Sequence, residues 1–313
     1  AMILGYPGRT NRWMPANGIE QNVKFAYPAW VEGAKTGMDN MKKFMTKDAT
    51  VNLQYASKYA STANYWKNRQ GMIDALTKAK TAQTKTKEEA KFNAWANKAE
   101  NKAKYGDVIA TINNYYAQTN LKARHDNYLT QLLRTATYGT LPASLGNGLI
   151  AYTKENEAKR AEMLPRLTSA IDGAYGSLYA PLEKEVLTAQ LNLYAAKAAE
   201  YGLAPKVAEM KAANNGDFTN DVHKAVTSSI FTSKDAVLAF LKEPKVETIT
   251  NDPLYVISND LMTKIRAKSP EQAKADDDFA IAFRKLVEGL RESKLNTIQY
   301  PDANSTLRLT YGK

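Results

Sequence analysis

Helix-start signals recur from Asn17 to about Lys294 with almost no strand signal between them, and this succession restricts the fold more than composition does. Asp48, the pair Asp252-Pro253 and the run Ser269-Pro270-Glu271-Gln272 each place a capping side chain before a helix, and Pro181 suits a first helical turn. Behind Asp48, the residues Val51, Tyr55, Tyr59, Thr62, Trp66, Ile73 and Leu76 recur with helical spacing, which predicts one long helix with a single inward stripe. Pro28 marks a kink or break in the helical stretch between Asn17 and Thr46.

Further signals divide the body. Thr86 with Glu89 reads as a capping box that opens a Lys-rich helix ending near Lys104, and Gly106-Asp107 separates it from a helix over 108–137. Tyr138 to Gly148 reads as a loop between two lobes. The second lobe is expected to break at Pro165 and between Gly173 and Pro181. Shorter helices are then predicted over 204–213, 219–229 and 233–242, ahead of the two capped ones. No repeat period runs through these segments, which excludes a regular solenoid. The expectation is an all-α, irregular multi-helix body.

The two ends differ from this body. Met2 to Arg12 is an apolar strand running into a Pro-Gly turn, and Asn304 to Tyr311 alternates as a strand. A lone strand leaves its backbone groups unpaired, so two strands flanking a helical body predict an insertion within a β-rich parent. The expected organisation is a strand stub over 1–14, a helical domain over 15–300 with lobes of about 15–140 and 149–300, and a second stub over 301–313.

Composition narrows the function. The 313 residues are 44% hydrophobic, enough for a packed core, and no stretch has the length of apolar sequence that spans a bilayer. No cysteine is present, which excludes disulfides, thiolate metal sites and a cysteine nucleophile. The formal charge is +11, but lysines such as Lys78, Lys85, Lys91 and Lys98 recur singly among Ala, Thr and Glu. That is the pattern of a solvated helix surface rather than of a nucleic-acid face.

A Ser-His-Asp enzyme needs a histidine that exchanges a proton, and the chain has only His125 and His223. Successive helical side chains point about 100° apart, so Asp126 is expected to orient His125 poorly, and both histidines read as surface or satisfied. No histidine pair has metal-ligand spacing. Glu88-Glu89 and Asp276-Asp277-Asp278 are expected at helix starts, where carboxylates favour the helix dipole. No metal, cofactor or catalytic residue is therefore assigned. One polar pattern remains, Asn64 and Asn68, one helical turn apart and opposite the Tyr59/Trp66 stripe. With Ala56 and Ala60 leading into it, this face reads either as ordinary solvated surface or as one that another molecule approaches, since a carboxamide oxygen accepts readily from an ammonium.

Three segments carry a family resemblance: Gly5-Tyr6-Pro7-Gly8-Arg9-Thr10-Asn11-Arg12; Ala63-Asn64-Tyr65-Trp66-Lys67-Asn68 with Gly71-Met72; and Asp302-Ala303-Asn304-Ser305-Thr306-Leu307-Arg308-Leu309-Thr310-Tyr311-Gly312. In order and separation they resemble the bacterial dipeptidyl-peptidase 7 and dipeptidyl-peptidase 11 group of serine exopeptidases. The resemblance implies a chymotrypsin-like double β-barrel parent, with this chain as the helical domain that caps its cleft and limits cleavage to dipeptides. It implies that the triad lies outside this chain, that Asn64 helps hold the free N-terminus of a peptide, and that Asn68 is a second candidate one turn on. It also implies a homodimeric parent and a periplasmic or cell-surface location in a Gram-negative bacterium. The positive charge leans the expected cleavage slightly toward Asp or Glu rather than hydrophobic residues. The rival reading is a stand-alone, non-catalytic helical module for acidic partners; a His and an Asp encoded upstream and a Ser downstream would separate the two.

Overall fold

The computed structural model describes residues 2–295 and 301–311. Strand β1 (Met2–Gly5) pairs antiparallel with β2 (Arg308–Tyr311), Met2 opposite Tyr311 and Leu4 opposite Leu309. The end strands thus satisfy each other, where the sequence left each without a partner. Gly312, the end of the third motif, lies outside the described residues, as do 296–300 at the expected boundary of the helical domain.

Between the strands run α1 (Ala16–Gln21), a π-helical turn (Asn22–Ala26), α2 (Tyr27–Met45), α3 (Ala49–Lys78), α4 (Thr81–Ala96), α5 (Ala99–Tyr105), α6 (Val108–Thr135) and α7 (Leu141–Thr153). They are followed by α8 (Glu157–Tyr175), α9 (Ala180–Lys197), α10 (Pro205–Asn214), α11 (Thr219–Ser228), α12 (Lys234–Phe240), α13 (Val246–Thr250), α14 (Pro253–Arg266) and α15 (Pro270–Glu292). Asp48, Asp252 and Ser269 cap α3, α14 and α15, each accepting from backbone N–H groups of the first turn. Pro28 and Pro181 stand in the first turns of α2 and α9.

Four local readings are corrected. Tyr138–Gly148 is no open loop: a 3₁₀ turn (Thr137–Gly139) leads into α7, where Pro142 fits the first turn and Gly146 abuts Tyr255. Pro165 does not interrupt α8, which runs through it on an exposed side. Thr86 lies inside α4, its hydroxyl donating back to Ala82 O, and Glu89 instead accepts from Ala16 N–H at 2.6 Å. Asp276–Asp278 fall within α15 rather than at its start, and Asp276 accepts from Tyr115 and Gln272 and pairs with Lys268.

The chain forms two compact units, which do not follow the division at 140–149 expected from sequence. The first takes the described parts of 1–24, 73–120 and 268–313, the second 25–72 and 121–267. The first unit is built on Phe92, Ala96, Tyr105, Val108, Ile112, Ala282 and Leu286. In it, Thr10 donates to Asp302 at 2.7 Å, Arg12 N–H donates to the same carboxylate, and Ala303 N–H donates to Thr10 Oγ1. The first and third motifs are therefore one hydrogen-bonded assembly despite their distance in sequence.

The core of the second unit centres on α9, whose Leu182, Val186, Leu187, Leu191 and Tyr194 are all buried. Gly33 and Gly37 of α2 let that helix approach Gln131 and Thr135 of α6 so closely that a Cβ at either position would collide. Gln190 fills the polar gap, donating to Gly33 O and Thr135 Oγ1 at 2.8 Å each.

Candidate functional site

The start of α3 is fixed by a buried carboxylate. Glu183 of α9 accepts from Tyr55 OH (2.9 Å), Thr137 N–H (2.5 Å), Thr137 Oγ1 (2.6 Å) and Lys58 Nζ (3.2 Å). A carboxylate without water is costly unless its lone pairs are filled, and four donors fill them here. Burial, then the adjacent Glu183 charge, pushes the Tyr55 phenol far up, so it stays protonated and keeps donating. The predicted stripe does face inward: Val51 and Tyr55 are buried, and Tyr59, Thr62, Trp66, Ile73 and Leu76 are half-buried.

Asn64 and Asn68 lie on the opposite face of α3, both exposed, as do Ala56 and Ala60. Neither carboxamide has a hydrogen-bond partner among the described residues. The face therefore presents two unengaged donor-acceptor groups one turn apart on a helix whose other side is anchored. Such a pair is able to accept from an ammonium or from peptide N–H groups.

Beside this face is a cluster that sequence reasoning missed. Tyr65, 45% exposed, meets Trp30 of α2 edge to face with centroids 6.4 Å apart. The Arg134 guanidinium of α6 lies 5.1 Å from the Tyr65 centroid and 5.5 Å from that of Trp30. The Arg69 guanidinium lies 5.5 Å from Trp30 and 4.7 Å from Tyr27. Tyr65 and Arg69 have the i,i+4 spacing of a shared face, and that signal was available. Trp30 and Arg134 arrive from other helices, and no local pattern connects them. Tyr65 packs against Trp30 on one side and stays partly open to solvent on the other.

His125 is buried, with Nδ1 2.8 Å from Asp126 and Nε2 2.8 Å from Tyr194 OH. The expectation of a satisfied histidine is met, but Asp126 does orient it. Side-chain torsions bring the adjacent carboxylate back over the ring, so the angle between neighbouring Cβ vectors is not decisive. Tyr194 OH accepts from Ala204 N–H at 3.1 Å, which leaves its own proton for His125 Nε2 and the His125 Nδ1–H for Asp126. Burial opposes ionisation of Asp126, but hydrogen bonds from His125 and Lys122 outweigh it and hold the carboxyl below its usual range. This arrangement ties α6 to α9. His223 is exposed, as expected.

The body between the end strands is helical and carries an exposed, unengaged carboxamide pair on α3, and comparison with known proteins gives its class. Residues 1–313 match the family described as Peptidase S46, and the chain belongs to it. It is 44% identical over its whole length to dipeptidyl-peptidase 7 of Capnocytophaga gingivalis and 26% identical to the Asp/Glu-specific dipeptidyl-peptidase of Flavobacterium psychrophilum. It spans 43% and 44% of those two proteins, less than half of either. The fold matches a crystal structure of Porphyromonas endodontalis DPP11 in complex with the dipeptide Arg-Glu, with a TM-score of 0.83 at 24% identity, covering 99% of this chain and 44% of the other.

Proposed function

We propose that this chain is the substrate-capping helical domain of a serine dipeptidyl peptidase, and that Asn64, with Asn68 one turn away, holds the free N-terminus of the peptide. The observation that carries the reading is the unengaged carboxamide pair, within a chain that matches a peptidase family from end to end. A neutral acceptor on the ammonium fixes its distance from the scissile bond, so that the second peptide bond reaches the nucleophile.

The β1–β2 ribbon supports membership of a larger β-structure. Its register puts Met2, Leu4, Leu309 and Tyr311 on one face, and that face is uncovered, Met2 being 73% and Tyr311 78% exposed. A two-stranded ribbon with a bare apolar face is marginal alone and gains stability from a wider sheet beside it. A barrel contributing the Ser-His-Asp triad, a dimeric parent and export to the periplasm or cell surface complete the proposal. The lean toward Asp/Glu rested on surface charge. The higher identity to a dipeptidyl-peptidase 7 favours that branch.

The test is Asn64→Ala in the full-length enzyme. Losing one hydrogen bond to a charged group is expected to raise KM for a dipeptidyl substrate about tenfold. Lys80→Ala, a surface change, is expected to leave KM as it was. Equal kinetics for the two variants would reject the anchor.

A further inference from the structure

Glu183 and Asp252 are the buried carboxylates among the described residues. Asp252 accepts from Tyr255 N–H as the N-cap of its own helix, α14. Glu183 lies in the first turn of α9, where a carboxylate favours the helix dipole, yet all four of its donors come from outside α9. Two of them, Tyr55 OH and Lys58 Nζ, belong to α3. Each is held a second time: Tyr55 OH accepts from Tyr179 N–H at 3.0 Å, and Lys58 Nζ donates to Thr137 Oγ1 at 2.8 Å. Apolar side chains of similar volume hold helices together as firmly as a buried ion pair does. What the ion pair adds is direction and register.

The course of α3 depends on that direction. In residues 49–72, the part of α3 within the second unit, only Val51 and Tyr55 are buried. Further along, the inward side chains are half-buried, Thr62 and Trp66 among them. Asn64 stands nine residues past Tyr55, which is about 14 Å along the helix axis. A tilt of about 5° at Tyr55 therefore carries Asn64 about 1 Å sideways, enough to turn a hydrogen bond into a bare contact.

We propose that Glu183 is a positioning residue: it sets the tilt of α3, and through it the place at which Asn64 meets the ammonium of the peptide. This rests on the N-terminus reading of Asn64 and extends it from the group that binds to the group that aims it. Glu183, Tyr55, Lys58 and Asn64 all belong to the second unit, so the effect passes through one packed body.

The experiment is a double-mutant cycle between Tyr55→Phe and Asn64→Ala, read as KM for a dipeptidyl substrate of the full-length enzyme. Tyr55→Phe keeps the ring in the core and removes the hydroxyl. It is expected to raise KM about fivefold with kcat unchanged, because binding is misaligned and the chemical step is not. In the Asn64→Ala background the same change should move KM by less than about twofold, since no carboxamide is left to aim. Lys58→Met removes the other α3 donor and should repeat both results, which covers a poor yield of folded Tyr55→Phe. Gly146→Ala, a packing change elsewhere in the same unit, should lower the urea midpoint and leave KM as it was. A wild-type KM in both Tyr55→Phe and Lys58→Met would overturn the positioning role, and so would an equal rise in the two backgrounds. A rise in Gly146→Ala matching that in Tyr55→Phe would also overturn it, because lost stability alone would then move KM. In each of those cases a raised KM for Asn64→Ala keeps the anchor. If Asn64→Ala itself leaves KM unchanged, the anchor is rejected and the positioning role with it.

Discussion

Glu89 shows how a residue is recognised as a capping group and still placed on the wrong helix. Its spacing from Thr86 predicted a local box, but Thr86 bonds Ala82 O within α4. Pro15 precedes α1 and offers no side-chain acceptor, so the carboxylate of Glu89 satisfies Ala16 N–H across the first unit. Burial raises the Glu89 carboxyl above its usual range; the Ala16 N–H and Lys85 oppose this without cancelling it. A carboxyl whose folded pKa exceeds its unfolded one binds its proton more tightly in the native state. Its contribution is therefore present below the unfolded value and is lost as pH rises through the folded one. Glu89→Gln keeps an oxygen for Ala16 without the charge, so its urea midpoint should exceed that of the wild type at pH 7. The gap should close as pH falls to about 4. A gap that widens toward acid would show that the charge itself stabilises α1. Asn64 and Asn68 were legible in sequence because their face follows from spacing alone. The Trp30–Arg134 contact was not, because it depends on how α2 and α6 pack on α3.

Among the elements, α7 was the largest misreading, and its cause is specific. Pro142, Gly146 and Gly148 within a short stretch are turn signals, and local propensity gave no reason to continue a helix. Packing supplies that reason. Leu141, Ala143 and Leu149 are buried, Ser258 of α14 donates to Gly139 O and accepts from Ala143 N–H, and Gly146 allows the Tyr255 ring to lie against the α7 backbone. Gly146→Ala ought to help an isolated helix by about 1 kcal/mol. Here its Cβ would fall well inside van der Waals contact with Tyr255 Cδ2, and overpacking of that kind costs about 1–3 kcal/mol. The expected result is a net loss of stability, read as a lower urea midpoint. In a Tyr255→Ala background, where the ring is gone, the same substitution should become neutral or favourable. A loss of equal size in both backgrounds would place the strain in the α7 backbone instead.

For the whole molecule, the caps and stripes were readable residue by residue, but the partition into units was not. The first unit gathers three separated segments, because α4, α5, the start of α6 and α15 bury their apolar faces on one another and α1 packs against α4. Local periodicity records that a face is apolar without recording what covers it. The same limit applied to the end strands, whose mutual pairing is a contact across nearly the full length of the chain. That pairing has a mechanical consequence in the proposed enzyme. A helical domain that leaves and re-enters its parent through adjacent strands is joined to it at one place, which allows movement about that junction. If the domain closes over a bound peptide, the full-length enzyme should contract when saturated with a dipeptide product, seen as a smaller radius of gyration by small-angle X-ray scattering. Asn64→Ala should need more dipeptide to reach the same contraction, because a ligand shifts such an equilibrium only through contacts that differ between the two states. Superimposable profiles with and without dipeptide would leave the carboxamide anchor standing and reject the lid.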